Sequence, residues 1–416
     1  MAPVRPICAD CDAFLRTSQA LPNSNNRGFS VQTYAHLNAL WVSVNSFFIA
    51  SRLKSSIDFH SLLCGALRML DWLHQTLTST VTHAVIGALM PIYDFLVDGS
   101  SRYHWIYVLS GLIIAAYAYR KHSTAMSFET TLLDKQVWLS KSAINDYIIV
   151  VVTPVLRLTV LSGLALNWKA VSATIVTVLE SAGVSGLTHD ANVMALGVAL
   201  TVTLFLVDDF LRWYAHYTFH RIPELWEFHK VHHSAEVLNF ATAERHHPVE
   251  TIMTSSLLFL GYGAVNGIFI GLFGEKLTVT TVAGANVFLF AFNVCGGVLR
   301  HSPFWVSFGP RIEKWIISPA MHQIHHSNKP EHFDKNLGGA LSVWDRMAGT
   351  LHIPRGREIE GFGIGEETQD FRSLQVIFLR PFTAAGSLLR KRFSRATDEQ
   401  ETQPAAHQAS THSITA

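Results

Sequence analysis

Residues 216–233 read His216-Tyr217-Thr218-Phe219-His220-Arg221-Ile222-Pro223-Glu224-Leu225-Trp226-Glu227-Phe228-His229-Lys230-Val231-His232-His233, five histidines in eighteen positions. His216 and His220 are four residues apart, so on a helix both imidazoles share one face. Ile222-Pro223 interrupts that helix, and Pro223 followed by Glu224 is a favourable start for the next one. On the second helix Trp226, His229, His232 and His233 fall at i, i+3, i+6 and i+7, along one stripe. An apolar stretch, 192–211, lies just before the first pair, so the histidines sit where an apolar segment ends.

The device recurs downstream. Ser318 is a good N-cap and Pro319 fits the first helical position; His322-x-x-His325-His326 follows, and Asn328-Lys329-Pro330 stops the helix. With 22 histidines in 416 residues, chance supplies roughly 0.06 matches to H-x-x-H-H, and the chain has two. Thirteen of the 22 lie between His216 and His352. The eight clustered imidazoles exceed the three or four ligands that a single zinc takes, so two adjacent metals are the simpler reading. Imidazole suits iron, zinc or copper, and ligand type alone leaves the metal open. A neutral, all-histidine shell opening toward apolar segments suits activation of O₂ beside a lipid chain; a hydrolytic zinc site more often carries a carboxylate.

Composition supports a membrane setting: 49% of residues are hydrophobic and 15% charged, too apolar for a typical soluble enzyme of this size. The net charge of +1 provides no basic field for nucleic acid, which is not expected as a partner. Cys8, Cys11, Cys64 and Cys295 are too few and scattered for a disulfide framework. The first thirty residues hold no apolar run of signal-peptide type, so internal spans must carry any targeting.

Windows of membrane-crossing length predict spans at about 104–119, 146–167 and 192–211, then 252–272 and 277–295 joined at Phe273–Lys276 as a helical hairpin. The apolar stretches at 37–50 and 84–97 are short or interrupted and read as interfacial. Loop 120–145 carries Arg120, Lys121, Lys135 and Lys141, whereas 168–191 carries Lys169 beside Glu180 and Asp190. The positive-inside rule then puts 120–145, 212–251 and everything after 296 on the cytosolic side, all three histidine clusters together. Leu379–Phe393 is basic and amphipathic and suits an anionic leaflet; the last twenty or so residues have a disordered composition. Three regions result: an interfacial or partly disordered 1–100, a catalytic domain 101–356, and a basic segment with a tail, 357–416.

The order H-x-x-x-H, H-x-x-H-H, H-x-x-H-H resembles the fatty acid hydroxylase/sterol desaturase superfamily of membrane di-iron enzymes. So do His232-His233-Ser234 with Glu236, Arg245-x-His247-Pro248-x-Glu250, and Asn336-Leu337-Gly338 leading to Trp344-Asp345-Arg346-x-x-Gly349-Thr350, and the similarity covers about 130–355. The resemblance implies an all-α fold, a polytopic transmembrane helix bundle with a cytosolic histidine-lined di-metal cap. It implies two iron ions, O₂ as co-substrate, and hydroxylation or desaturation of a lipid (sterol, fatty acyl chain, ether lipid or carotenoid). The chain shows no dinucleotide, haem or iron–sulfur motif, so electrons are expected from outside it; the resemblance implies cytochrome b5 or a ferredoxin with its reductase as the external carrier. The location implied is multi-pass in a bacterial inner membrane or the endoplasmic reticulum.

The metal ligands read in this way are His216, His220, His229, His232, His233, His322, His325 and His326, with His301 added from the family pattern. His246 and His247 read rather as part of a turn at Pro248, and His332 and His352 as surface residues. Asp209, seven residues before His216 on the same helix face, orients that imidazole or pairs with Arg212. Trp344-Asp345-Arg346 closes the cap, and Glu236 and Asn239 are either supports for the ligands or ordinary caps. The competing class is a membrane metal-ion transporter or metal-binding protein, which needs its ligands near the bilayer midplane in broken helices; here they lie beyond the apolar segments.

Overall fold

Asn192 caps a helix of 29 residues, Val193–Arg221 (α6), by accepting from the amides of Met194 and Ala195. At 1.5 Å per residue it is about 44 Å long, more than the roughly 30 Å of a hydrocarbon core. Its last turns, which bear His216 and His220, therefore project past the apolar part without a break. The computed structural model describes residues 96–121, 127–156, 167–184, 192–274 and 277–409; the interfacial or disordered character expected for 1–100 lies almost wholly outside them.

The helices before α6 are Trp105–Lys121 (α1), Phe128–Leu132 (α2), Lys135–Leu139 (α3), Lys141–Leu156 (α4) and Trp168–Ser181 (α5). After it come Pro223–His233 (α7), Pro248–Phe273 (α8), a two-residue-strand hairpin Thr281–Val282 (β1) and Ala285–Asn286 (β2), Val287–Val294 (α9), Pro319–His325 (α10), Val343–Ala348 (α11) and Leu374–Ala409 (α12). Among the described residues, α6 and α8 are long and apolar enough to cross a membrane, and only 33% and 28% of their apolar windows are buried by protein. Core helices of a soluble protein would be mostly covered. Here Met194, Val198, Leu206, Leu260 and Ile268 face outward.

Two expectations are corrected. Residues 168–191, read as a loop, contain α5, which lies along α8. Gly263, Gly267 and Gly271 of α8 make the close approach: a Cβ on them would lie 2.5 Å from Val171 Cβ, 2.8 Å from Ile175 Cβ and 2.7 Å from Leu179 Cδ1, so the two backbones pack at a distance that only glycine allows. Residues 277–295, read as a fifth span joined at Phe273–Lys276 in a helical hairpin, are instead an extended segment, the β1–β2 hairpin and the eight-residue α9. The hairpin turns at Ala283-Gly284, both at positive φ, as tight two-residue turns require. A hydropathy window weighs Val, Thr and Phe alike whether they form strand or helix, so it could not see the difference.

The cap is tied to the helices by a buried pair. Arg245 Nη1 meets Asp146 Oδ1 of α4 at 2.7 Å; the same guanidinium donates to the carbonyls of Val231 and Phe371 and to Ser234 Oγ. It joins α4, α7 and the C-terminal part in one cluster with Ile149, Val231, Phe371 and Ile377. The basic amphipathic segment Leu379–Phe393 lies within α12; Phe382 touches Phe228 and His247, while Leu379, Leu389 and Phe393 stay exposed. Helix α12 also continues to Ala409, through much of the stretch whose composition reads as disordered.

Candidate metal centre

Four elements deliver the histidines. Helix α6 carries His216 and His220, α7 carries His229, His232 and His233, a 3₁₀ turn Gly297–His301 carries His301, and α10 with its C-cap carries His322, His325 and His326. Pro223 and Pro319 stand at the first turns of α7 and α10, and Ser318 caps α10 by accepting from Met321 N at 3.2 Å.

The rings converge in two groups. The ligand atoms of His216, His220, His229, His233 and His325 lie within 4.8 Å of one another, as do those of His232, His301, His322 and His326. The groups are adjacent: the His233 and His326 rings stack at 4.6 Å, and His229 and His232 are 5.5 Å apart.

The supporting hydrogen bonds fix which nitrogen is free. His216 Nδ1 lies 2.8 Å from the Leu337 carbonyl and His325 Nδ1 2.9 Å from the Lys335 carbonyl. A carbonyl can only accept, so each Nδ1 bears the proton and each Nε2 keeps a lone pair. His220 Nδ1 meets Asp334 at 3.0 Å and His229 Nδ1 meets Glu250 at 2.8 Å, the usual outer support of metal-bound imidazole. In the first group all five Nε2 atoms are buried and without a partner. In the second, His301 Nε2 lies 3.1, 3.1 and 3.0 Å from Nε2 of His232, His326 and His322. One ring proton serves one such contact. Nitrogens bound at about 2.0–2.1 Å to one cation are about 3 Å apart, so both groups fit metal ions.

Burial, and then the neighbouring imidazoles, hold His232, His233, His301, His322, His325 and His326 well below the ordinary histidine pKa of 6.5. They are neutral, as ligands must be. His246 differs. Burial works to lower it, but the Glu250 carboxylate at 3.0 Å prevails and raises it. Its ring stacks on His232 at 4.3 Å. His247 caps α8, accepting from Val249 N, with Nε2 at 3.2 Å from the Phe378 carbonyl.

Asp209 does neither thing expected of it. Its carboxylate accepts from the amides of Ala340 and Leu341, at 2.6 and 3.0 Å, and from Trp344 Nε1 at 2.9 Å. It acts on His216 only through the 337–344 loop, whose Leu337 carbonyl His216 meets; Arg212 pairs with Asp208 instead. Asp345 completes the loop by accepting from Leu337 N, Gly338 N and Thr350 Oγ1. Asp334 and Asn336, both at positive φ, flank Lys335 in the segment that supplies the Lys335 and Leu337 carbonyls. Asn239 caps a 3₁₀ turn and Glu236 pairs with Arg372. His332 is buried, not a surface residue, and with His352 it meets Glu358 at 3.5 and 2.8 Å.

The supports that spacing did not mark are Glu250, Asp334 and the two carbonyls. Only Glu250 left a signal, the His246-x-x-x-Glu250 pair at helical spacing. A cavity of about 330 Å³ between α6, α8 and α9 reaches His216, His229, His232, His301 and His322. A second, of about 420 Å³, reaches His220, His233 and His325 on the other face and has Trp226 and Phe333 in its wall.

Residues 201–350 match the family model for fatty acid hydroxylase. The match supports kinship of this segment with the fatty acid hydroxylase superfamily. It is 31% identical over 147 residues to alkylglycerol monooxygenase of Danio rerio, covering 35% of this chain and 29% of that protein. It is 25% identical over 171 residues to alkylglycerol monooxygenase of Caenorhabditis elegans, 41% and 30% of the two chains. It is 30% identical over 159 residues to ornithine lipid hydroxylase of Rhizobium tropici, 38% and 43%. The matched segment thus spans under half the length of each of these relatives. No solved structure matches the chain. The stretch 201–350 contains all nine converging histidines and Asp209, while α1, α4 and α12 lie outside it.

Proposed function

We propose that this chain is a membrane-embedded di-iron hydroxylase that uses O₂ to insert oxygen into a C–H bond of a lipid drawn from the bilayer. The observation that carries it is the convergence of nine imidazoles, as five and four, seven of them on buried residues, beside a cavity between apolar helices. The relatives are named as a monooxygenase and a hydroxylase, which favours hydroxylation over desaturation. The outward apolar surfaces of α6 and α8 support insertion, and the projection of His216 and His220 past the apolar part of α6 favours a surface site over a transport path through the midplane.

Bound irons would supply oxygen activation. The chain's own residues do the rest: Leu337, Lys335, Asp334 and Glu250 hold His216, His325, His220 and His229 each in one tautomer, and the cavity admits the lipid at one face of the centre. A multi-pass arrangement with the centre on the cytosolic side agrees with the basic loop 120–145. Electrons from an external carrier, a cytochrome b5 or ferredoxin with its reductase, would enter at the opposite face, where Trp226 lies 5.1 Å from His220 and 5.4 Å from His233.

The test is elemental analysis of the purified chain together with mass spectrometry of lipids from cells with and without it. The expected result is about two irons per chain and a lipid gaining one oxygen, both lost in His232→Ala and His325→Ala. Iron and turnover retained in both variants would end the reading.

A further inference from the structure

The cavity against His301 is lined by three arginines, and two are neutralised in place. Arg102 pairs with Glu244 at 3.0 Å and Arg212 with Asp208 at 2.8 Å. Arg300 has no carboxylate within ion-pair distance among the described residues. Its guanidinium donates to the carbonyls of Gly297, at 3.0 Å, and Gly339, and lies over the Phe292 ring at 5.2 Å. The Asp209 carboxylate nearby is already taken up by two amides and an indole. Guanidinium stays protonated in proteins, so Arg300 is a cation. A cation so placed is costly without a counter-charge. Across the cavity, α8 presents Thr254 and Ser255, while Phe205, Leu258, Leu289 and Phe292 line it with hydrocarbon, so the wall offers polar groups for a lipid's polar end and hydrocarbon for the start of its chain.

We propose that Arg300 anchors an anionic oxygen group, a carboxylate or a phosphate, at the polar end of the lipid substrate, so that this end and not the chain terminus lies beside His301. The proposal rests on the hydroxylase reading and makes Arg300 the residue that selects the substrate class. Guanidinium suits the role because it offers planar paired donors to either oxyanion.

The test is equilibrium binding to the full chain in non-ionic detergent, followed by tryptophan fluorescence, with the metal-loaded and the chelator-treated protein. The probes are oleate, oleoyl lysophosphatidate, and the neutral oleyl alcohol and monooleoylglycerol. Hydrogen bonds to a charged group predict that one anionic probe binds about tenfold or more tighter than its neutral counterpart; which one distinguishes carboxylate from phosphate. That preference should survive metal removal, vanish in Arg300→Gln and persist in part in Arg300→Lys. Equal affinities in the unmodified protein overturn the proposal, which needs no variant to fold. So does a preference that survives Arg300→Gln, or one that disappears on chelation, which would put the anion on the metal. Iron content and oxygen gain in the product, measured on the same preparations, report separately on the hydroxylase reading.

Discussion

His229 donates through Nδ1 to Glu250 Oε1 across 2.8 Å, and the same oxygen lies 3.0 Å from Nδ1 of His246. One carboxylate at the first turn of α8 thus orients a histidine of the five-membered group and a ring stacked on the four-membered one. Glu250→Gln keeps the size but replaces the charged acceptor. Metal affinity should fall roughly tenfold to a hundredfold, read as iron retained against a graded chelator series, with helix content by circular dichroism unchanged. Undiminished iron retention would mean the carboxylate does not support the ligands.

Asp209→Asn turns an amide donor toward backbone amides that now donate to carboxylate. The loss of satisfied buried bonds should cost about 1–3 kcal/mol, seen as a lower thermal midpoint. Iron should loosen as well, because the 337–341 loop presents the Leu337 carbonyl to His216. A variant with native midpoint and native iron content would show that the loop holds itself.

Gly267→Val places a branched side chain where Ile175 Cβ and the Ser172 carbonyl already lie within 2.9 Å of the first added atom. Overpacking of this kind costs about 1–3 kcal/mol. The expected outcome is a lower unfolding midpoint in detergent with iron content at low temperature preserved, since α5 supplies no residue of the two histidine groups. An unchanged midpoint would mean that α5 and α8 are not packed this closely.

The pH dependence has a definite sign. Six imidazoles are held below 6.5 by burial and by one another, so the folded chain binds fewer protons than the unfolded one. Their stability contribution is full above about pH 6.5 and is lost as pH falls toward their folded values. The metal-free protein should therefore melt at progressively lower temperature on acidification from about pH 7 to 5.5. A midpoint that rises over that interval would contradict the burial of these rings.

Residue types and spacing were enough to mark the ligands. His-x-x-x-His and two copies of His-x-x-His-His are local patterns, and a helix of fixed pitch converts such spacing into a shared face whatever the rest of the chain does. The long helices α6 and α8 were legible for the same reason, as each contains one long apolar run and ends just before Pro223 or Gly274. The segment 277–295 was not, because its apolar residues serve strand and short helix equally and only the Ala283-Gly284 turn decides between them.

What tertiary structure alone decided is the partition of the nine rings into five and four, and what holds each. His232 and His233 are neighbours in sequence yet belong to different groups, since adjacent residues on a helix point about 100° apart. Asp209 shares a helix face with His216 but is claimed by Ala340, Leu341 and Trp344, and among the described residues Arg300 has no carboxylate partner while Asp208 and Glu244 pair with Arg212 and Arg102. Spacing within one segment fixes which side chains are parallel; which of them meet a partner a hundred residues away depends on how the segments pack, and that information is not local.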